Sequence, residues 1–206
     1  MPSFIIRTGI PTLILLLLGA CASLPDDLQQ EYSEGYPNPE ETFLGRIIDE
    51  TAPADKTLSG VELLAEPEKA FTTRFAIANL AEETLDLQYY LWKGDLAGGL
   101  LMWAALDAAD RGVRVRFLID DIYHSGRDNV YGLLDSHPNF EVRIFNPMAN
   151  RGAGRYFNYL GNRKHLNHRM HNKIFLADNA IAVLGGRNIG NDYFGVDTKA
   201  NFFDLD

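Results

Sequence analysis

Apolar and polar positions fall into recognisable periods only from about Val61 onward. Residues 21–58 are rich in Pro, Glu, Asp and Ser, and Pro25, Pro37, Pro39 and Pro53 interrupt any repeat. Such a stretch reads as an extended acidic tether that adds little to a core. From Glu68 to Ala81, residues Phe71, Phe75, Ile77, Ala78 and Leu80 fit one side of an amphipathic helix. Thr84 to Trp92 alternates and is rich in aromatics, as a strand does. Leu100, Leu101, Trp103, Ala104, Leu106, Ala108 and Ala109 supply the apolar side of the next helix, which Arg111 and Gly112 close. Val113 to Ile119 is a second strand, ending at Asp120 and Asp121. Strand, helix and strand at this spacing form a βαβ unit with parallel strands.

A short helix near Asn129 to Ser136 and a strand at Glu141 to Phe145 continue the alternation. Residues 146–167 then lose their period and gain Gly152, Gly154 and Gly161, the signs of a long loop. Two apolar strands follow, Met170 to Ala177 and Ala180 to Leu184, around an Asp178-Asn179 turn. The fold class predicted is α/β: a mixed, largely parallel sheet flanked by helices, in one domain over residues 59–206.

The net charge of −9 argues against a nonspecific nucleic-acid binder, which carries a basic footprint. Charge is unevenly placed, however. No acid occurs from Val142 to Ala177, while Arg143, Arg151, Arg155, Arg163, Lys164, Arg169 and Lys173 do, a local field suited to an anionic group. The sole cysteine, Cys21, excludes an intramolecular disulfide. It follows Leu18-Gly19-Ala20 and an apolar run from Ile10 to Leu18, after Arg7. This reads as a bacterial lipoprotein signal over residues 1–20, with lipidation at Cys21. The run is shorter than the roughly 20 residues a membrane-spanning helix needs. A lipid-anchored protein of the bacterial cell envelope, facing the periplasm, is the expectation, with the membrane surface as a partner.

Candidate chemistry lies on the last two strands. His171 and Lys173 are two apart, so their side chains leave one face. Gly185 and Gly186 allow close approach of backbone to a ligand, and Asn188 stands just beyond. A phosphodiester needs cations and amide donors around its oxygens and a nucleophile that can also leave, and histidine serves without a metal. Lys173, Asn188 and Gly186 are the candidate phosphate binders, and no cofactor is called for. His165, His168 and His171 recur at intervals of three, but in an extended segment His168 faces away from the other two. No acid or cysteine nearby completes a zinc set.

The run His171-x-Lys173, Asp178, Gly185-Gly186-x-Asn188 resembles the signature of the phospholipase D superfamily, with Gly186 where many members have serine. Leu85-Asp-Leu-Gln-Tyr-Tyr-Leu-Trp92, Ala108-Ala-Asp-Arg-Gly-Val-Arg-Val-Arg116, Asp120-Asp121, Val142-Arg-Ile-Phe-Asn-Pro147 and Arg169-Met-His-Asn-Lys173 resemble its bacterial cardiolipin synthase branch, of the cardiolipin synthase C type. The resemblance implies a phospholipase D-like half-domain that transfers a phosphatidyl group between anionic or zwitterionic phospholipids through a phosphohistidine. His171, Lys173 and Asp178 would be the catalytic motif, Asp178 organising the hairpin, with Asp204, or failing it Asp192, orienting the imidazole. It also implies a second motif-bearing half, or a homodimer partner, that supplies a proton donor. Only one motif occurs before the chain stops at Asp206, so a truncated amino-terminal half is the expectation. A secreted phosphodiesterase, whether a hydrolytic phospholipase or a nuclease, and an inactive envelope lipoprotein are the alternatives. Nucleic acid is the less expected substrate.

Overall fold

The computed structural model describes residues 32–53, 55, 57–124, 126–148 and 167–206. Cys21, the leader before it, and Arg151, Arg155, Arg163, Lys164 and His165 lie outside the described residues. The described strands are β1 (Thr84–Tyr89), β2 (Arg114–Asp120), β3 (Phe140–Phe145), β4 (Lys173–Ala177) and β5 (Ile181–Leu184). They form one sheet in the order β3-β2-β1-β4-β5. The pairs β1-β2 and β2-β3 are parallel, and β1-β4 and β4-β5 antiparallel. The sheet is therefore mixed, with a larger antiparallel share than the strand-helix alternation alone implies.

Four α-helices accompany it among the described residues: α1 (Phe43–Thr51), α2 (Pro67–Leu80), α3 (Leu96–Asp110) and α4 (Asp128–Asp135). In α3 the buried positions are Ala97, Gly98, Leu101, Ala104, Ala105, Ala108 and Ala109. Small side chains let this crossover helix lie close to the sheet. Leu100 and Trp103, expected on the apolar side, are exposed at 40% and 57%. A 3.6-residue period through the alanines leaves them one position off the core stripe. The core lies between these helices and the sheet, with Leu85, Leu87, Tyr89, Val115, Phe117, Ile119 and Phe175 at its centre.

The expectation of an extended tether with little core through residue 58 needs correction. Thr42 accepts a hydrogen bond from Gly45 N–H at 3.0 Å and caps α1, and Leu44 is 2% exposed. Phe43, Leu44, Ile47 and Ile48 recur at helical spacing, and together with the cap they outweigh the surrounding prolines and acids.

Within α2 the sequence pattern missed Arg74, which is fully buried. Its Nη2 lies 2.9 Å from Asp206 Oδ2, and its Nε donates to the Tyr89 hydroxyl at 3.1 Å. Arg187, 0% exposed, reaches the same carboxylate oxygen at 3.1 Å. Two guanidinium groups thus share one buried acid, and Leu64 N–H donates to the Asp206 carbonyl at 2.8 Å. This cluster fixes the 204–206 segment against Gly185 and Gly186.

Candidate active site

The antiparallel register of β1 and β4 sets Tyr89 opposite Lys173. Strand β4 therefore begins where β1 ends, and His171 stands just beyond the carboxyl ends of the parallel strands. Ligands of open α/β sheets bind at that end. Alternation along β4 buries Lys173, Phe175 and Ala177, whereas His171, of the same parity but ahead of the first paired residue, is exposed.

The Lys173 ammonium lies 3.1 Å from His171 Nδ1 and donates to the His171 carbonyl at 2.7 Å. A lysine can only donate, so Nδ1 accepts and the neutral ring in this arrangement carries its proton on Nε2. Burial pushes the Lys173 amine below its ordinary value, and the Asp204 charge opposes that shift. An ammonium depleted of water and close to an exposed imidazole is well placed to meet an anionic ligand oxygen.

Tyr90 completes the wall. Its ring centroid is 4.8 Å from that of His171, and Lys173 Nζ lies 5.5 Å from its centre. The Tyr123 ring meets Tyr90 edge-on at 5.3 Å. Burial, and then the neighbouring Tyr123 phenol, raise the Tyr90 hydroxyl to about 12, so it remains a neutral phenol. Sequence reasoning missed Tyr90. The signal was the Tyr89-Tyr90 doublet, of which alternation sends the first into the core and the second outward.

The other candidate residues divide. Asp178, fully buried at the β4-β5 turn, accepts from the N–H groups of Glu82, Glu83 and Thr84 at 3.0, 2.8 and 3.0 Å. It ties the hairpin to the start of β1. Asp178 and Asn179 have φ of 53° and 54°, the left-handed pair that a tight hairpin turn uses.

Asn188 accepts from Leu91 N–H at 3.1 Å and donates to the Tyr193 hydroxyl at 2.9 Å. One of its amide hydrogens is therefore engaged in holding the chain beyond β1. Gly186, a candidate phosphate binder, has its N–H donating to the Leu205 carbonyl at 3.0 Å. What approaches it closely is the carboxylate of Asp204: a Cβ at residue 186 would lie 1.9 Å from Asp204 Oδ1.

Neither acid expected to orient His171 is bonded to it. Asp204 Oδ1 accepts from Leu205 N–H at 2.9 Å, although its charge reaches Lys173. Asp192 pairs with Lys93 at 2.6 Å. Asp192 is thus held by a partner 99 residues away that only folding brings to it, and Asp204 by the amide of its own neighbour. Among the described residues no group of three His, Cys, Asp or Glu is placed to hold a metal ion.

Two acids at the end of β2 hold the approach to His171. Asp120, fully buried, accepts from Met170 N–H at 2.9 Å, from Ile122 N–H at 2.9 Å and from Arg169 Nη1 at 3.1 Å. Asp121 accepts from Met148 N–H at 2.6 Å.

Residues 76–204 match the family described as "Cardiolipin synthase, PLD-like domain". Cardiolipin synthase C of Escherichia coli (strain K12) is 50% identical over 137 residues, 66% of this chain and 29% of the relative. A cardiolipin synthase of Geobacillus kaustophilus (strain HTA426) is 30% identical over 145 residues, 70% of this chain and 27% of the relative. The chain thus spans less than a third of these relatives. The solved structure of NucT from Helicobacter pylori superposes with a TM-score of 0.50 at 20% identity, covering 70% of this chain and 80% of that one, and shares the fold. With the family match extending from within α2 through the motif to Asp204, this chain belongs to the phospholipase D-like domain family of the cardiolipin synthases.

Proposed function

We propose that this chain carries one half of a two-histidine site that moves a phosphatidyl group from one phospholipid to a headgroup hydroxyl of another. The observation that carries the reading is the exposed His171 imidazole with the buried Lys173 ammonium 3.1 Å from its Nδ1, at the open end of the sheet. When a phosphodiester enters, Lys173 shifts its hydrogen bonds to a nonbridging oxygen. The ring proton then passes through solvent from Nε2 to the Nδ1 that the lysine has vacated, and the freed Nε2 attacks phosphorus. The P–O bond to the departing headgroup breaks as a second histidine protonates the leaving oxygen. That histidine next takes a proton from the acceptor hydroxyl, whose oxygen attacks phosphorus and releases His171.

The second histidine would come from a further motif in a longer polypeptide or from a second copy across a two-fold axis. An apolar recess of about 530 Å³ supports a lipid substrate. Pro67, Phe71, Leu96, Leu100, Phe194 and Val196 line it, at the amino ends of α2 and α3 and so at the His171 end of the helical layer. No helix of the described residues is long and apolar enough to cross a membrane. We infer attachment through a lipidated Cys21 from the leader-like apolar run before it, with the domain at the periplasmic face of an envelope membrane.

The test places the full-length protein in vesicles of labelled phosphatidylglycerol and phosphatidylethanolamine. Cardiolipin should form, and His171→Ala should lower its rate by about three orders of magnitude or more. Failure with both donors removes the reading, and His171-dependent nicking of DNA would replace it with nucleic-acid hydrolysis.

A further inference from the structure

Residues 168–172 lie outside the ladder: β4 starts only at Lys173. Regular strand pairing therefore does not place His171. Among the described residues, side chains do that work. Asn146 Nδ2 donates to the His168 carbonyl at 2.6 Å, and Asp120 takes both the Met170 N–H and the Arg169 guanidinium. Asp120 is itself fixed, since it ends β2 opposite Phe145 of β3, and one of its oxygens also accepts from Ile122 N–H. Its carboxylate is fully buried, so these charge-assisted bonds act with little screening by water.

We propose that Asp120 is a positioning residue for His171. Its two oxygens hold the two residues immediately before the imidazole, and so keep the ring against Tyr90 and within reach of Lys173. The inference rests on the proposed function only in calling His171 the nucleophile. A change of one oxygen to an amide, as in Asp120→Asn, sets an N–H₂ group against N–H donors and removes the charge that meets Arg169. The 169–171 segment then loses its fixed point although the sheet keeps its ladder.

The test reads the ring directly. In the histidine-labelled chain, the His171 ring signals, identified by their loss in His171→Ala, should be displaced by the Tyr90 ring current. Asp120→Asn should move them at least halfway to free-histidine positions, or split them. Arg169→Gln, which keeps Asp120 and its backbone partners, should move them less in the same direction. It decides the matter if Asp120→Asn does not fold. Leu134→Ala, a core truncation in α4, should lower stability and leave the signals in place. In the full-length enzyme Asp120→Asn should lower kcat tenfold or more with KM within twofold.

Unmoved His171 signals in a folded Asp120→Asn chain would overturn the positioning role, whatever the activity, as would unmoved signals in Arg169→Gln if only that variant folds. Moved signals, in a protein whose unaltered form turns over no phosphodiester, would uphold the positioning role and sink the proposed function instead.

Discussion

The carboxylate of Asp204 fills the space that a side chain on residue 186 would need, with Oδ1 1.9 Å and Cγ 2.5 Å from the place of a Cβ. A carboxylate tip can swing aside, so Gly186→Ala should cost little stability but should drive Asp204 from its place near Lys173. Asp204 holds the Lys173 amine up against the effect of burial. Losing that support lets the amine fall further, so the alkaline limb of the pH–rate profile should move to lower pH. Asp204→Asn should move it in the same direction. A limb that stays put in both variants would show that Asp204 does not act on Lys173.

Gly185 makes a contrasting case. A Cβ there would meet the Leu205 carbonyl at 2.4 Å and the Asp206 Cα at 2.5 Å, and backbone cannot swing. Gly185→Ala should cost about 1–3 kcal/mol in urea unfolding. Asp206→Ala should cost more, about 3–5 kcal/mol, because it leaves the buried guanidinium groups of Arg74 and Arg187 without their shared acid.

His124 predicts an acid-sensitive core. It is fully buried, accepts Trp92 N–H at Nε2 at 3.3 Å, and meets the Tyr131 hydroxyl at Nδ1. Burial, and then the Arg127 charge, push its value from 6.5 down to about 4. The folded state therefore binds fewer protons than the unfolded state between those values. The stability that neutral His124 contributes is complete above pH 6.5 and is lost as pH falls toward 4, by about 3 kcal/mol in all. Urea unfolding across this window should show a shallower pH dependence in His124→Gln than in the unaltered protein.

The helix α1 offers a simpler measurement. Thr42 Oγ1 accepts from Gly45 N–H and donates to the Pro39 carbonyl at 2.7 Å. Thr42→Ala should cost about 1 kcal/mol. It should also raise hydrogen exchange at Gly45 and Arg46 before the sheet is affected.

Legibility in the sequence followed the range of the interaction. Strand β1, helix α3, strand β2 and the β4-β5 hairpin were readable because alternation, helical period and an Asp-Asn turn are local signals. The pairing of His171 with Lys173 was readable for the same reason. What escaped depends on distant partners: Arg74 is buried because Asp206, 132 residues away, meets it. Asp178 was expected to organise the hairpin and does so, but the amide it takes from Glu82, 96 residues away, had no local signal. The bond from Gly186 N–H to the Leu205 carbonyl was likewise illegible, since nothing near it in sequence announces that the 204–206 segment comes back to cover it. Helix α1 had a local signal in its Thr cap and apolar spacing, but the prolines and acids around it masked that signal.

Adjacent carboxylates at the end of β2 grip the chain on both sides of residues 149–166: Asp121 holds Met148 N–H, and Asp120 holds Met170 N–H. Met148 and Met170 are thereby anchored to consecutive residues of one strand end. Lengthening such a segment adds little closure cost, since each doubling adds only about 0.6 kcal/mol. A change of length between the two anchor points therefore leaves Met170, and the imidazole that follows it, held by Asp120.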